Sequence, residues 1–197
     1  MAWRGVDVSY ETIRRWVNTF GPVFAKRIKS RAGTPSPTWH LDEVYTKING
    51  KMVYLWRAVD DEGTVLDVIV QSRRNTKAAL RLLRKLLDNN KVNPERIITD
   101  KLRSYGAALK KLKMKNIQDA GGRKINRAEN SHLPIRRRER KSQRFKSIPS
   151  AQRQLTSWGQ IYNLFNYHRH LISRNTLKIF RTQAQVEWLS VTEAVMA

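Results

Sequence analysis

Acidic residues are scarce in this chain, 16 Asp and Glu against 39 Lys and Arg, and two of them interrupt apolar runs. Asp42 stands in the middle of Trp39-His40-Leu41-Asp42-Glu43-Val44-Tyr45, and Asp100 ends Arg96-Ile97-Ile98-Thr99-Asp100. A carboxylate removed from water costs desolvation energy unless it pairs with or binds a cation. Capping a turn, or pairing with one of the many arginines, would satisfy either residue alone. Both, however, occupy equivalent strand contexts on what reads as one sheet. Two adjacent aspartates offer hard oxygen ligands suited to Mg²⁺ or Mn²⁺. Glu129, in Asn126-Arg127-Ala128-Glu129-Asn130-Ser131-His132 at the start of a helix, is the candidate third carboxylate. Three such groups would hold two ions roughly 3.5 to 4 Å apart, clamping the attacking and leaving oxygens of an in-line phosphoryl displacement. His132, one turn beyond Glu129, could touch the metal or the scissile phosphate, or serve as a neutral hydrogen-bonding group.

The formal net charge of +23 exceeds what solubility needs and calls for a polyanionic partner. From Arg136 to Lys146 the chain carries seven basic residues and one acid. A helix so charged is unstable alone and is expected to meet phosphates. The candidate contacts to double-stranded DNA are Arg136, Arg137, Arg138, Arg140 and Lys141 in this run, and Lys101, Arg127 and His132 beside the carboxylates. Arg14 and Arg15 join them from the first helix. No stretch approaches the roughly 18 to 20 apolar residues that span a bilayer, and the first residues lack a signal peptide's apolar core. The expected location is the cytoplasm, with the nucleoid. With no cysteine, disulfides and thiolate metal sites are excluded, so any metal must rest on carboxylates or the four histidines.

The elements that must position these groups follow from periodicity. Ile13, Trp16, Val17 and Phe20 recur at helical spacing behind a Ser9 cap, predicting a helix up to Phe20. With Gly5-Val6-Asp7-Val8 before it, this segment reads as the turn and second helix of a helix-turn-helix, or as an ordinary surface helix. Arg31 to Pro37 contains two prolines and small residues and reads as a linker. Strands are predicted over 38–48, 52–59 and 64–71, the first pair joined at Asn49-Gly50. A helix over 76–87 follows, its apolar face formed by Ala79, Leu80, Leu83, Leu86 and Leu87. A strand over 96–99, a helix over 104–112 and a short strand over 116–119 come next. Helices are then predicted over 128–145, 150–170 and 176–195. This order indicates an α/β fold, a mixed sheet with helical layers.

The blocks Trp39 to Glu43, Tyr54-Leu55-Trp56-Arg57-Ala58-Val59-Asp60, Thr99-Asp100-Lys101-Leu102-Arg103-Ser104-Tyr105 and Asn126 to His132 with Arg136 to Arg140 together resemble the transposases of the sixth insertion-sequence family. The resemblance runs from about Gly5 to Arg181. It implies a ribonuclease H-like core of five mixed strands flanked by helices, a DDE triad falling on Asp42, Asp100 and Glu129, and a preceding helix-turn-helix. It also implies binding of terminal inverted repeats, hydrolysis of one strand to free a 3′-OH, and transfer of that hydroxyl to target DNA by at least a dimer. The domain reading is a partial helix-turn-helix over 1–30, a linker over 31–37, a catalytic core over 38–150 and a C-terminal helical region over 151–197 packing on the core. Met1 falls a few residues before the recognition helix, so the first helix of the helix-turn-helix is expected to be missing. Two other readings stay open: a DNA-binding remnant without transposition, and a ribonuclease H-like nuclease.

Overall fold

Alternating apolar and polar residues after Pro37 produce β1 (Thr38–Ile48), which folds back on β2 (Lys51–Asp60) with Trp39 opposite Asp60 and Ile48 opposite Lys51. Asn49 and Gly50 both take positive φ, 51° and 76°, the tight turn that matches the natural twist of a hairpin. β3 (Val65–Gln71) pairs antiparallel with β2. The Asp60 carboxylate closes the turn between them by accepting from the Glu62 and Thr64 amides at 3.0 and 2.8 Å. β4 (Arg96–Thr99) lies parallel to β1, and β5 (Gln118–Ala120) parallel to β4. The strand order is β3-β2-β1-β4-β5. This is the five-stranded mixed sheet flanked by helices expected of a ribonuclease H-like core.

The computed structural model describes residues 5, 7–90, 92–121, 126–141, 144–167 and 171–196, without the side chains of 126–131, 138, 141 and 194–196. The chain divides into two compact units, Gly33–Leu155 and Met1–Ala32 with Thr156–Ala197. In the first unit, one sheet face is covered by α2 (Thr76–Asn89) and α3 (Arg103–Lys111). Leu82, Leu83 and Leu86 of α2 are wholly buried there, each contributing about 1.5–3 kcal/mol. The stripe is rotated from the predicted one: Leu82 is inside, whereas Leu80 and Leu87 only edge the core. Asn75 caps α2 by accepting from the Ala78 amide at 3.0 Å.

The other face of β1 and β2 receives α4 (Asn126–Lys141). This helix starts before Glu129 and runs through Pro134, anchored on the next residue by fully buried Ile135. It stops short of Phe145 because Arg144, at φ 68°, returns its N–H to the Glu139 carbonyl, a closure typical of helix ends. A single 3-10 turn, Lys115–Ile117, displaces the start of β5 from the predicted residue 116 to Gln118.

The second unit contains α1 (Tyr10–Arg31) and α6 (Arg174–Met196), with the later part of α5 (Ile148–Phe165). Its aromatic centre is Trp188, edge-on to Phe24 at 5.5 Å and to Phe165 at 6.0 Å. Ser9 caps α1 through the Thr12 amide at 3.1 Å. Instead of ending at Phe20, α1 continues through Gly21 and Pro22 to Arg31. The described residues of this segment form one long helix, and a helix-turn-helix is not found among them. The Gly-Pro pair reads as a stop, but Gly21 serves close packing: a Cβ there would lie 3.0 Å from Ser157 Oγ. Burial of Gly21, Ala25 and Ile28 carries the helix past the proline. Among the described residues, no helix is long and apolar enough to cross a membrane.

Candidate active site

The parallel pairing of β1 and β4 sets Leu41 beside Thr99, so the residues that follow, Asp42 and Asp100, leave the two strands side by side. One carboxylate oxygen from each of Asp42, Glu43 and Asp100 lies within 4.8 Å of the others. Successive strand residues face opposite sides of a sheet. Glu43 therefore shares the α2–α3 face with Trp39 and Leu41, while Asp42 shares the α4 face with His40 and Thr46. The contacts agree with this. Thr46 donates its hydroxyl to Glu139 of α4, and His132 of α4 brings Nε2 to 3.2 Å from Asp42 Oδ2. That approach is close but not aligned as a hydrogen bond, and both ring nitrogens of buried His132 lack a hydrogen-bond partner within the described residues.

On the opposite face, Arg74 from the loop before α2 donates Nε to Glu43 Oε1 at 2.6 Å and forms a second ion pair with the same oxygen. It also reaches Asp100 Oδ2 at 3.6 Å. The Glu43 side chain is only 2% exposed. Burial raises its pKa to about 7, an effect that Arg74 opposes and Asp100 and Asp42 reinforce. Burial likewise raises Asp100, against the Leu102 amide that donates to its Oδ1 at 2.9 Å, with Asp42 pushing further up. The Tyr105 phenol, wholly buried, lies well above its usual range because of burial and then of Glu43, Asp42 and Asp100. Arg57, fully buried, is the strand partner of Asp42 and shares its face.

These oxygens form a hard donor set, and Glu43 Oε2 is buried without a hydrogen-bond partner among the described residues. Both observations fit a divalent cation. Two other buried acids of this unit, Asp60 and Asp67, differ. Asp60 is satisfied by backbone amides, and Asp67 by Lys85 at 2.8 Å.

The remaining sequence candidates are distributed as follows. The side chains of Arg127, Glu129, Arg138 and Lys141 lie outside the described residues; of Glu129 only the helical backbone of α4 is placed. Arg136, Arg137 and Arg140 are exposed on α4, and Lys101 is exposed next to Asp100. In the other unit Arg15 is exposed and Arg14 pairs with Glu11 at 3.1 Å. Glu43, Arg57 and Arg74 were not singled out by the sequence as site residues. The usable signal for Glu43 was its adjacency to Asp42 in an apolar strand. Arg74 carried none, being one arginine of a pair in a loop.

A family model described as a DDE domain matches residues 36–168. The transposase for insertion sequence-like element IS431mec of Staphylococcus aureus is 31% identical over 171 residues, covering 84% of this chain and 75% of that protein. Among solved structures, the HTLV-2 integrase catalytic core domain in complex with magnesium aligns with TM-score 0.49 at 14% identity, over 75% of this chain and 99% of that one. A chain of the simian T-cell lymphotropic virus intasome aligns with TM-score 0.47 at 13% identity, over 71% of this chain and 54% of that one. By the DDE-domain match and the Staphylococcus aureus relative, the chain belongs to the DDE-domain transposases of insertion sequences.

Proposed function

We propose that this protein cuts DNA at the ends of an insertion sequence and joins the freed ends to target DNA, with Asp42, Asp100 and Glu129 as its catalytic carboxylates. The observation that carries the reading is the convergence of Asp42 and Asp100 across the β1–β4 junction, within 4.8 Å of each other and of Glu43. Mg²⁺ or Mn²⁺, as two ions in the complete site, would neutralise the phosphate and stabilise the attacking and leaving oxygens. Asp42 and Asp100 would hold the metal, and Glu129 of α4 would be the third ligand. Arg74 fixes Glu43 and steadies Asp100 from the α2 side, while His132 backs Asp42 from the α4 side. In the first reaction water attacks a phosphodiester at the element end; the bond to the 3′ oxygen breaks, leaving a 3′-OH and a 5′-phosphate. In the second, that 3′-OH attacks a phosphodiester of the target and displaces its 3′ oxygen.

Duplex DNA is the partner on this reading, bound in part through exposed Arg136, Arg137 and Arg140 of α4. The protein works in the cytoplasm, on the nucleoid, and pairs with at least one further copy, since two element ends must be joined. The test incubates purified protein with Mg²⁺ and a duplex carrying the element's terminal repeat, alongside Asp100→Asn. Strand transfer is expected to fall by at least about a hundredfold in the variant. Binding without transfer by the unaltered protein would instead mark a DNA-binding remnant, and cleavage of RNA in a hybrid would mark a nuclease.

A further inference from the structure

The helix that begins beside the carboxylates carries a row of cations that the site does not use. Immediately after Arg74 and the Asn75 cap, α2 exposes Lys77, Arg81 and Arg84, with no acid on the exposed stripe before Asp88. Their spacing of four and three residues puts them on one side of the helix. The opposite side is sealed into the core by Ala78, Ala79, Leu82, Leu83 and Leu86. A groove of about 450 Å³ lies along this stripe, with Lys77, Arg81, Arg84 and Lys85 in its wall and the single acid Asp88 at its far end. Lys85 is engaged by Asp67 at 2.8 Å. Lys77, Arg81 and Arg84 make no hydrogen bond or ion pair among the described residues.

Like charges three and four residues apart weaken a helix, so the arrangement costs stability unless an anion covers it. The stripe from Lys77 to Arg84 is about 10 Å long at 1.5 Å per residue. That length of duplex axis carries about three phosphates on each strand. Three unpaired cations thus face a matching number of phosphates, along a line that starts at the catalytic carboxylates.

We propose that Lys77, Arg81 and Arg84 form a track for the sugar-phosphate backbone of duplex DNA as it leaves the active site, separate from the basic face of α4. The proposal rests on the transposase reading, and it concerns binding, which can be measured without metal or turnover. The track holds backbone and reads no sequence, because phosphates carry none.

The test measures affinity of the full chain for a labelled duplex in EDTA across a NaCl series. Lys77→Gln/Arg81→Gln/Arg84→Gln is compared with Lys26→Gln/Lys110→Gln/Lys111→Gln, which removes equal charge from exposed positions elsewhere. The slope of log affinity against log salt is expected to shrink by about 2.7 in the track variant, at about 0.9 for each phosphate no longer neutralised, and by about 0.9 in Arg81→Gln alone. The weakening should be equal for a duplex with the terminal repeat and one of unrelated sequence. An unchanged slope in the track variant, an equal change in the comparison variant, or a weakening confined to one duplex sequence would overturn the proposal. Failure of the transposase reading would register separately, as absence of strand transfer by an unaltered protein that still binds through the track.

Discussion

Glu43 is the most shielded of the three clustered carboxylates, its side chain 2% exposed against 13% for Asp42 and 27% for Asp100, and its titration gives a sharp expectation. Its folded pKa is about 7 against an ordinary 4.5. Between those values the unfolded chain has released the proton and the folded chain retains it. The contribution of Glu43 to stability in the absence of metal should therefore be full below about pH 4.5 and decline as pH rises to about 7, by about 3 kcal/mol. Glu43→Gln should flatten that decline, which thermal melts from pH 4 to 8 would detect; an unchanged slope would mean that another group titrates. Asp42 and Asp100 were legible as candidates because, in a chain short of acids, an acid within an apolar run needs a reason to be there. Glu43 was not, because its reason is Arg74, 31 residues away in a loop, and spacing cannot pair a strand with a loop. Glu129 was a candidate both from its place at the start of a helix after Asp100 and from its family block, and its side chain lies outside the described residues.

Elements were read well where a single period governs them and less well where packing overrules local preference. The Asn49-Gly50 hairpin and β4 follow their residues directly, since turn chemistry and apolar runs determine both. α1 shows the opposite case, because Gly21 and Pro22 look like an end until the neighbouring helix is known. Replacing Gly21 with Leu should drive a Cβ to 3.0 Å from buried Ser157 Oγ. The expected loss is about 1–3 kcal/mol, seen as a lower denaturant midpoint. A Leu variant as stable as the original would mean that α1 ignores this contact. α4 likewise passes through Pro134, which local rules would make a boundary. Its hold on the sheet through Ile135, Glu139 and His132 explains why it persists, and none of those contacts is visible in helical periodicity.

At the scale of the whole molecule, charge was the most legible property and the grouping of helices the least. A formal +23 predicts that DNA affinity falls by at least about a thousandfold between about 50 and about 200 mM NaCl; a shallow dependence would argue against backbone contacts as the main source of binding. That α1 packs with α6 in one unit joins the two ends of the sequence, which composition cannot foresee. The parallel junction of β1 and β4 also has a consequence in time. The three antiparallel strands and α2 can assemble from neighbouring stretches of chain, but Asp42 meets Asp100 only after β4 docks across that whole intervening segment. Long-range parallel pairing is slow to form, and synthesis delivers Asp42 well before Asp100. The nascent protein thus carries only the β1 part of this carboxylate cluster until its sheet is nearly complete.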